Sequence, residues 1–190
     1  MNNEFIKYIS SSIPDLNEDT LSVLKESFSE IEVKKGELLL KQGQVCTDLY
    51  FISEGISRSF SVKDDKEYTT WFGFKNNFMT SYISFFSKVP SYESLEMLTN
   101  GTLYQIHSAN FFDNRVSSVQ IENIINHFSL LYTIQLEKRL FIIQTYSATE
   151  KYKHIINNEP HLIQYIPNKH LASYLGITTE TLSRIRSSIY

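Results

Sequence analysis

Residues 166–186 read IPNKHLASYLGITTETLSRIR, and their spacing sets the reading of the whole chain. Leu171, Ala172 and Leu175 fall on one face of a first helix, and the small Ala172 lets a second helix cross closely. Gly176 supplies the tight turn, because a left-handed backbone is cheap only without a Cβ. Ile177 plugs the angle between the helices, and Leu182 and Ile185 bury the inner face of the second one. Two helices joined by a short turn of this kind make a helix-turn-helix. A helical hairpin with a solvated charged face has a looser pattern; the spacing of Ala172, Ile177, Leu182 and Ile185 is more specific than that.

The outward face of the second helix then carries Thr179, Glu180, Ser183, Arg184 and, further round, Arg186. Its N-terminal turn is shaped to enter a DNA major groove. The fork of Arg184 matches a guanine edge, and Glu180 can accept from a cytosine amine. Thr178 is placed to cap the helix while the nearby amides face a phosphate. Lys169 and Ser173 are candidates for contacts to the DNA backbone. Charge agrees weakly. The chain as a whole is −3, yet residues 161–190 carry Lys169, Arg184 and Arg186 against Glu180, a formal +2 on an otherwise acidic body. Such a gradient suits a protein that meets DNA through one small surface.

Upstream the chain changes character. Residues 4–28 show helical spacing in two pieces separated by Pro14 and Asp15, with Asn17 or Asp15 as the cap of the second. Between 31 and 107, short apolar runs (38–40, 49–52, 56–62, 68–74, 95–98 and 103–106) alternate with Gly, Asn, Asp and Pro, as in a β-barrel or sandwich. Asn100-Gly101 predicts a two-residue hairpin turn, since both residues tolerate positive φ. Residues 117–146 hold neither Gly nor Pro and repeat apolar residues at helical spacing over about eight turns. A helix of that length either lies buried along its own domain or pairs with its twin across a two-fold axis; Ile121, Ile124, Ile125, Phe128, Leu131 and Tyr132 are the candidate dimerisation residues. Another helix opens at 148–150 and ends near Asn157 and Asn158, with Pro160 as its stop.

With these parts in place the chain resembles the Crp/Fnr family of bacterial transcription regulators over nearly its whole length. GITTETLSRI (176–185) is similar to that family's recognition helix, KGELLLKQG (35–43), LYFI (49–52) and Gly55 to the opening of its cyclic-nucleotide-binding β-roll, and YSATEKY (146–152) to the start of its DNA-binding domain. The resemblance implies base-reading roles for Glu180 and Arg184; Thr179 stands where the family often has arginine or proline. It implies an α+β fold: a double-stranded β-helix (jelly-roll) sensor domain over 1–116, a long dimerisation helix over 117–146 and a helix-turn-helix domain over 147–190. It also implies a homodimer on a near-palindromic double-stranded DNA operator, with RNA polymerase as a further partner. A ligand-binding or protein-interaction module whose helical tail docks a protein in place of DNA is the competing reading.

The ligand side of the resemblance thins out. Nucleotide-binding members carry a Gly-Glu-Leu phosphate cassette followed by an arginine; the matching stretch here is FMTSYISFFSKVPSYESLE (78–96). Thr80, Ser81 and Tyr82 replace the first motif, Tyr92 and Glu93 occupy the arginine region, and no arginine lies between Arg58 and Arg115. A buried cyclic phosphate needs a fixed cation or several amides. Lys88 beside a Pro-turn is a poor substitute, and Glu93 would repel the phosphate. Tight cyclic-nucleotide binding is therefore not expected. The aromatic crowd Trp71, Phe72, Phe74, Phe78, Tyr82, Phe85 and Phe86 reads first as core; its alternative is an effector pocket, unknown in ligand, with Thr80, Ser81, Tyr82, Tyr92, Glu93 and Ser94 at its polar edge.

Other chemistries lack residues. The single Cys46 supplies no disulfide framework, Cys-rich zinc site or iron–sulfur cluster and fits a reducing compartment. His107, His127 and His154 show no spacing that singles out a haem ligand. No nucleophilic triad, Walker loop or zinc-protease motif occurs, so neither enzyme activity, metal nor cofactor is expected. The absence of a signal-like start or a membrane-length apolar run predicts a soluble, cytoplasmic protein without membrane contact.

Overall fold

A computed structural model describes residues 4–111 and 119–189. Its contacts divide the chain into two units, Met1–Ser61 with Trp71–Phe128 and Val62–Thr70 with Ser129–Tyr190. The long helix belongs to both, and the tip of one hairpin belongs to the second.

The first unit is built on two antiparallel sheets. One orders β1 (Ser29–Val33), β8 (Gly101–His107), β3 (Asp48–Glu54) and β6 (Phe78–Met79) as β1-β8-β3-β6. The other orders β2 (Leu38–Leu40), β7 (Ser94–Met97), β4 (Ser57–Lys63) and β5 (Lys66–Gly73) as β2-β7-β4-β5. Strand alternation sends Tyr50 and Ile52 of β3 and Leu103 of β8 into one core with Leu95 and Met97 of β7. Phe51, Tyr104 and Ile106 point the other way, into a second core. There they meet Phe5 and Ile9 of α1 (Glu4–Ser12), Leu24 of α2 (Glu18–Ser27), and Phe28. Both faces of β3 are covered, which is why its middle, residues 49–52, is an unbroken apolar run between Asp48 and Ser53. Asn17, not Asp15, caps α2, accepting from the Thr20 amide, while Asp15 takes the left-handed turn at φ 65°.

Two turns depart from the sequence expectation. Asn100-Gly101 is no hairpin: β7 and β8 lie in different sheets, and neither residue has positive φ. Gly101 serves a close approach instead, since a Cβ there would sit 2.1 Å from the Glu54 carbonyl oxygen. The two-residue hairpin is Asp64-Asp65, both left-handed at φ 51° and 58°, the backbone a type I′ turn demands. Short helices α3 (Tyr82–Ser87) and α4 (Ser108–Phe111) follow β6 and β8.

Helix α5 spans Val119–Thr145, matching the Gly- and Pro-free stretch; residues 117 and 118 of the expected helix lie outside the described residues. The second unit adds α6 (Ala148–Asn158), α7 (Pro160–Tyr165), α8 (Asn168–Leu175) and α9 (Thr179–Ile189). Ser147 and Glu150 form a reciprocal capping box at the start of α6. Pro160 does not merely stop α6. It sits at the first turn of α7, where its missing N–H is unneeded. Among the described residues no helix is long and apolar enough to cross a membrane.

Candidate nucleic-acid interface

Helix α8 ends in a full Schellman motif. Gly176 has φ 68°; its amide donates to Ser173, and the Ile177 amide donates to Ala172. The chain then enters α9 through Thr178, whose hydroxyl accepts from the Thr181 amide at 3.1 Å. Leu171, Ala172 and Leu175 of α8 and Leu182 and Ile185 of α9 are buried, together with Tyr152, Ile155 and Leu162 of α6 and α7. The inner faces assigned from spacing are the buried faces.

The outer face of α9 presents Thr179, Glu180, Ser183 and Arg184, all exposed. The Glu180 carboxyl is held below the ordinary carboxylate range by its own backbone amide and by the hydroxyls of Thr178 and Thr179. It is an anion fixed at the helix N-terminus, ready to accept. Arg184 reaches only the Thr181 hydroxyl, at 3.4 Å. Arg186 is different. Its Nε donates to the Tyr152 hydroxyl at 3.0 Å and Nη1 donates to Asn168 Oδ1 at 2.7 Å, so its guanidinium ties α9 to α6 and to the start of α8. Lys169 and Ser173, on α8, face the hairpin tip: Lys169 Nζ is 3.7 Å from Glu67, and Ser173 exchanges hydrogen bonds with residues 67 and 69. Sequence spacing shows none of these partners. Arg139 of α5 is another unforeseen contributor; it stacks 3.7 Å over the Tyr174 ring and donates to the Tyr174 carbonyl at the C-terminal end of α8.

The six residues assigned to an effector pocket are mostly committed to the roll itself. Thr80 donates to the Asp48 carbonyl at 2.9 Å. Buried Ser81 accepts from Ser91, which also bonds the Glu93 backbone. Ser94 accepts from the Gln42 amide. Tyr82 packs on Phe86 with the rings tilted by 43°. Tyr92 is 70% exposed and lines no core. Ser84, unnoticed in the sequence, holds this segment to the sheet by accepting from the Cys46 amide at 2.8 Å and donating to Val89. Buried Arg58 pairs with Glu96, its cross-strand neighbour, at 2.7 Å and lies over the Phe60 ring, so its charge is already balanced.

Of the dimerisation candidates, Ile121 and Ile124 are buried in the core beneath α1 and α2, and Ile125 and Phe128 pack against the same cluster. Leu131 is exposed and Tyr132 half-buried. Apart from Val119 at its start, the apolar residues that α5 leaves exposed run from Leu130 through Leu131, Ile134, Leu136 and Leu140 to Phe141.

Residues 30–114 match the family model of the cyclic nucleotide-binding domain. Most of the chain is similar in fold to solved structures. FixK2 from Bradyrhizobium japonicum gives a TM-score of 0.73 at 15% identity, covering 85% of this chain and 84% of that one. The chain has the Crp/Fnr fold. The c-di-GMP-responsive global regulator CLP of Xanthomonas campestris gives 0.71 at 14% identity over 91% of both chains. A protein of Eubacterium rectale assigned to the Crp/Fnr family gives 0.71 at 17% identity, over 94% of this chain and 87% of that one. No curated protein matches the sequence. The Crp/Fnr fold accounts for the antiparallel roll, the 27-residue α5 and the terminal helix pair in one architecture.

Proposed function

We propose that this protein is a sequence-specific DNA-binding transcription regulator that works as a homodimer and is not switched by cyclic AMP. One observation carries the reading: α9 buries Leu182 and Ile185 while turning Thr179, Glu180, Ser183 and Arg184 to solvent on its opposite face. An acceptor carboxylate and an exposed guanidinium one turn apart suit two neighbouring base edges. The regulators that share the fold support the same role. The exposed apolar residues of α5 support a two-fold pairing through its later turns, with two α9 helices meeting successive major grooves. Ser81, Ser84 and Ser91 are bonded to one another or to backbone, and Arg58 is paired with Glu96, which supports a sensor domain that does not hold a cyclic phosphate. Neither enzymatic chemistry nor a cofactor is part of this reading.

A gel shift on fragments of the source genome tests it, with Arg184→Ala run beside the wild type. The wild type is expected to prefer particular fragments and to lose affinity as salt rises. Equal weak binding to every fragment would overturn the assignment. Calorimetric titration with cyclic AMP and cyclic GMP is expected to show no sub-micromolar site; a tight site would contradict the effector half of the reading.

A further inference from the structure

The hairpin tip Val62–Thr70 packs in the same compact unit as the terminal helices. Strand β5 is the last strand of its sheet, so its outer backbone groups have no neighbouring strand. Ser173 of α8 fills that place at one point. Its hydroxyl accepts from the Thr69 amide at 2.8 Å and donates to the Glu67 carbonyl at 2.9 Å. A serine hydroxyl has a single O–H to give. A phosphate oxygen offers only acceptors, so Ser173 cannot serve a phosphate while it serves Glu67. Lys169, one turn earlier on the same helix, faces the Glu67 carboxylate at 3.7 Å. The tip carries Asp64, Asp65 and Glu67 against Lys63 and Lys66, an acidic loop beside a basic segment. A phosphate that reaches Lys169 must displace the Glu67 carboxylate.

From this geometry we infer that the tip, residues 62–70, is an intramolecular clamp that stands in for a DNA strand on α8 and competes with DNA for Ser173 and Lys169. The inference rests on the DNA-reading assignment above. Release of the tip frees one hydroxyl donor and one ammonium for phosphates, and the strength of the clamp sets the apparent affinity for DNA.

Two measurements test it. The first is amide hydrogen exchange at Thr69, followed with and without saturating amounts of a preferred duplex. Protection in the free protein and its loss on DNA are expected; protection that persists with DNA bound overturns the clamp. The second is fluorescence anisotropy with the same duplex. Glu67→Gln keeps the side chain's size and removes its charge, and it is expected to tighten binding by about twofold to fivefold, the range of an exposed ion pair. Equal or weaker binding by this variant, with an unchanged melting temperature, overturns the clamp. If neither protein binds any duplex while the Thr69 amide stays protected, the DNA-reading assignment itself has failed, and the competition with it.

Discussion

Arg184 and Arg186 stand two positions apart on one helix and have opposite surroundings. Arg184 projects from α9 with one long bond to Thr181, while Arg186 is half-buried between Tyr152 and Asn168. Arg184→Ala is expected to leave the melting temperature unchanged and to relax base preference at one position, by about 1–3 kcal/mol in competition binding. Arg186→Ala is expected to do the reverse. Losing charge-assisted bonds destabilises the fold by about 1.5–3 kcal/mol, readable in denaturant unfolding. The inner and outer faces of the helix pair were legible from spacing alone. Arg186 was not, because its partner Tyr152 lies 34 residues away and no local pattern points to it. Glu150 gives a pH test. The Ser147 hydroxyl and amide hold its carboxyl below the ordinary range. A lowered folded pKa adds stability above the unfolded value, and that stability fades as pH falls through the folded one. An NMR titration should therefore find Glu150 low in the wild type and raised partway toward an ordinary glutamate in Ser147→Ala, which removes the hydroxyl and keeps the backbone amide. An unshifted Glu150 in the wild type would contradict the capping box.

Among the elements, two glycines separate backbone strain from crowding. Gly176 has φ 68° with open space where a Cβ would go, so Gly176→Ala is expected to cost about 1 kcal/mol. Gly101 has an ordinary φ, but a Cβ there would lie 2.1 Å from a backbone oxygen that cannot swing aside. Gly101→Ala is expected to cost several times more, roughly 3 kcal/mol or above, or to prevent folding. Equal melting temperatures for the two variants would contradict this account. Most strands, the long helix and the Gly176 turn were legible because periodicity and turn chemistry are local; β1 and the two-residue β6 were not, since neither carries an apolar run of its own. The sheet that each strand joins is not local. Asn100-Gly101 carries the chemistry of a hairpin turn, yet it connects strands of different sheets, and the true two-residue turn uses Asp64 and Asp65.

At the scale of the molecule, the long helix divides its work along its length. Ile121 and Ile124 close the core of the first unit, and the later apolar residues remain open to solvent. Leu130, Ile134 and Phe141 fall within about 40° of one another at 100° per residue, on a face they share with exposed Glu137. Leu130→Asp with Phe141→Asp is expected to give a folded monomer in sedimentation and to abolish high-affinity binding to a two-half-site duplex; a dimer that survives both changes contradicts the assigned surface. The stripe through Ile121, Ile124, Ile125 and Phe128 was visible in the sequence, and its first turns close the core; the exposed Leu130, Ile134 and Phe141 lie off it, about half a turn round the helix from Ile121, and were not read from the spacing.

The most direct test of the central claim is affinity selection of the wild-type protein against random duplex DNA, followed by sequencing of the retained pool. The account predicts enrichment of an inverted repeat whose half-sites lie about one helical turn apart, with the preference blurred at one position per half-site by Arg184→Ala. A retained pool as random as the input would contradict it.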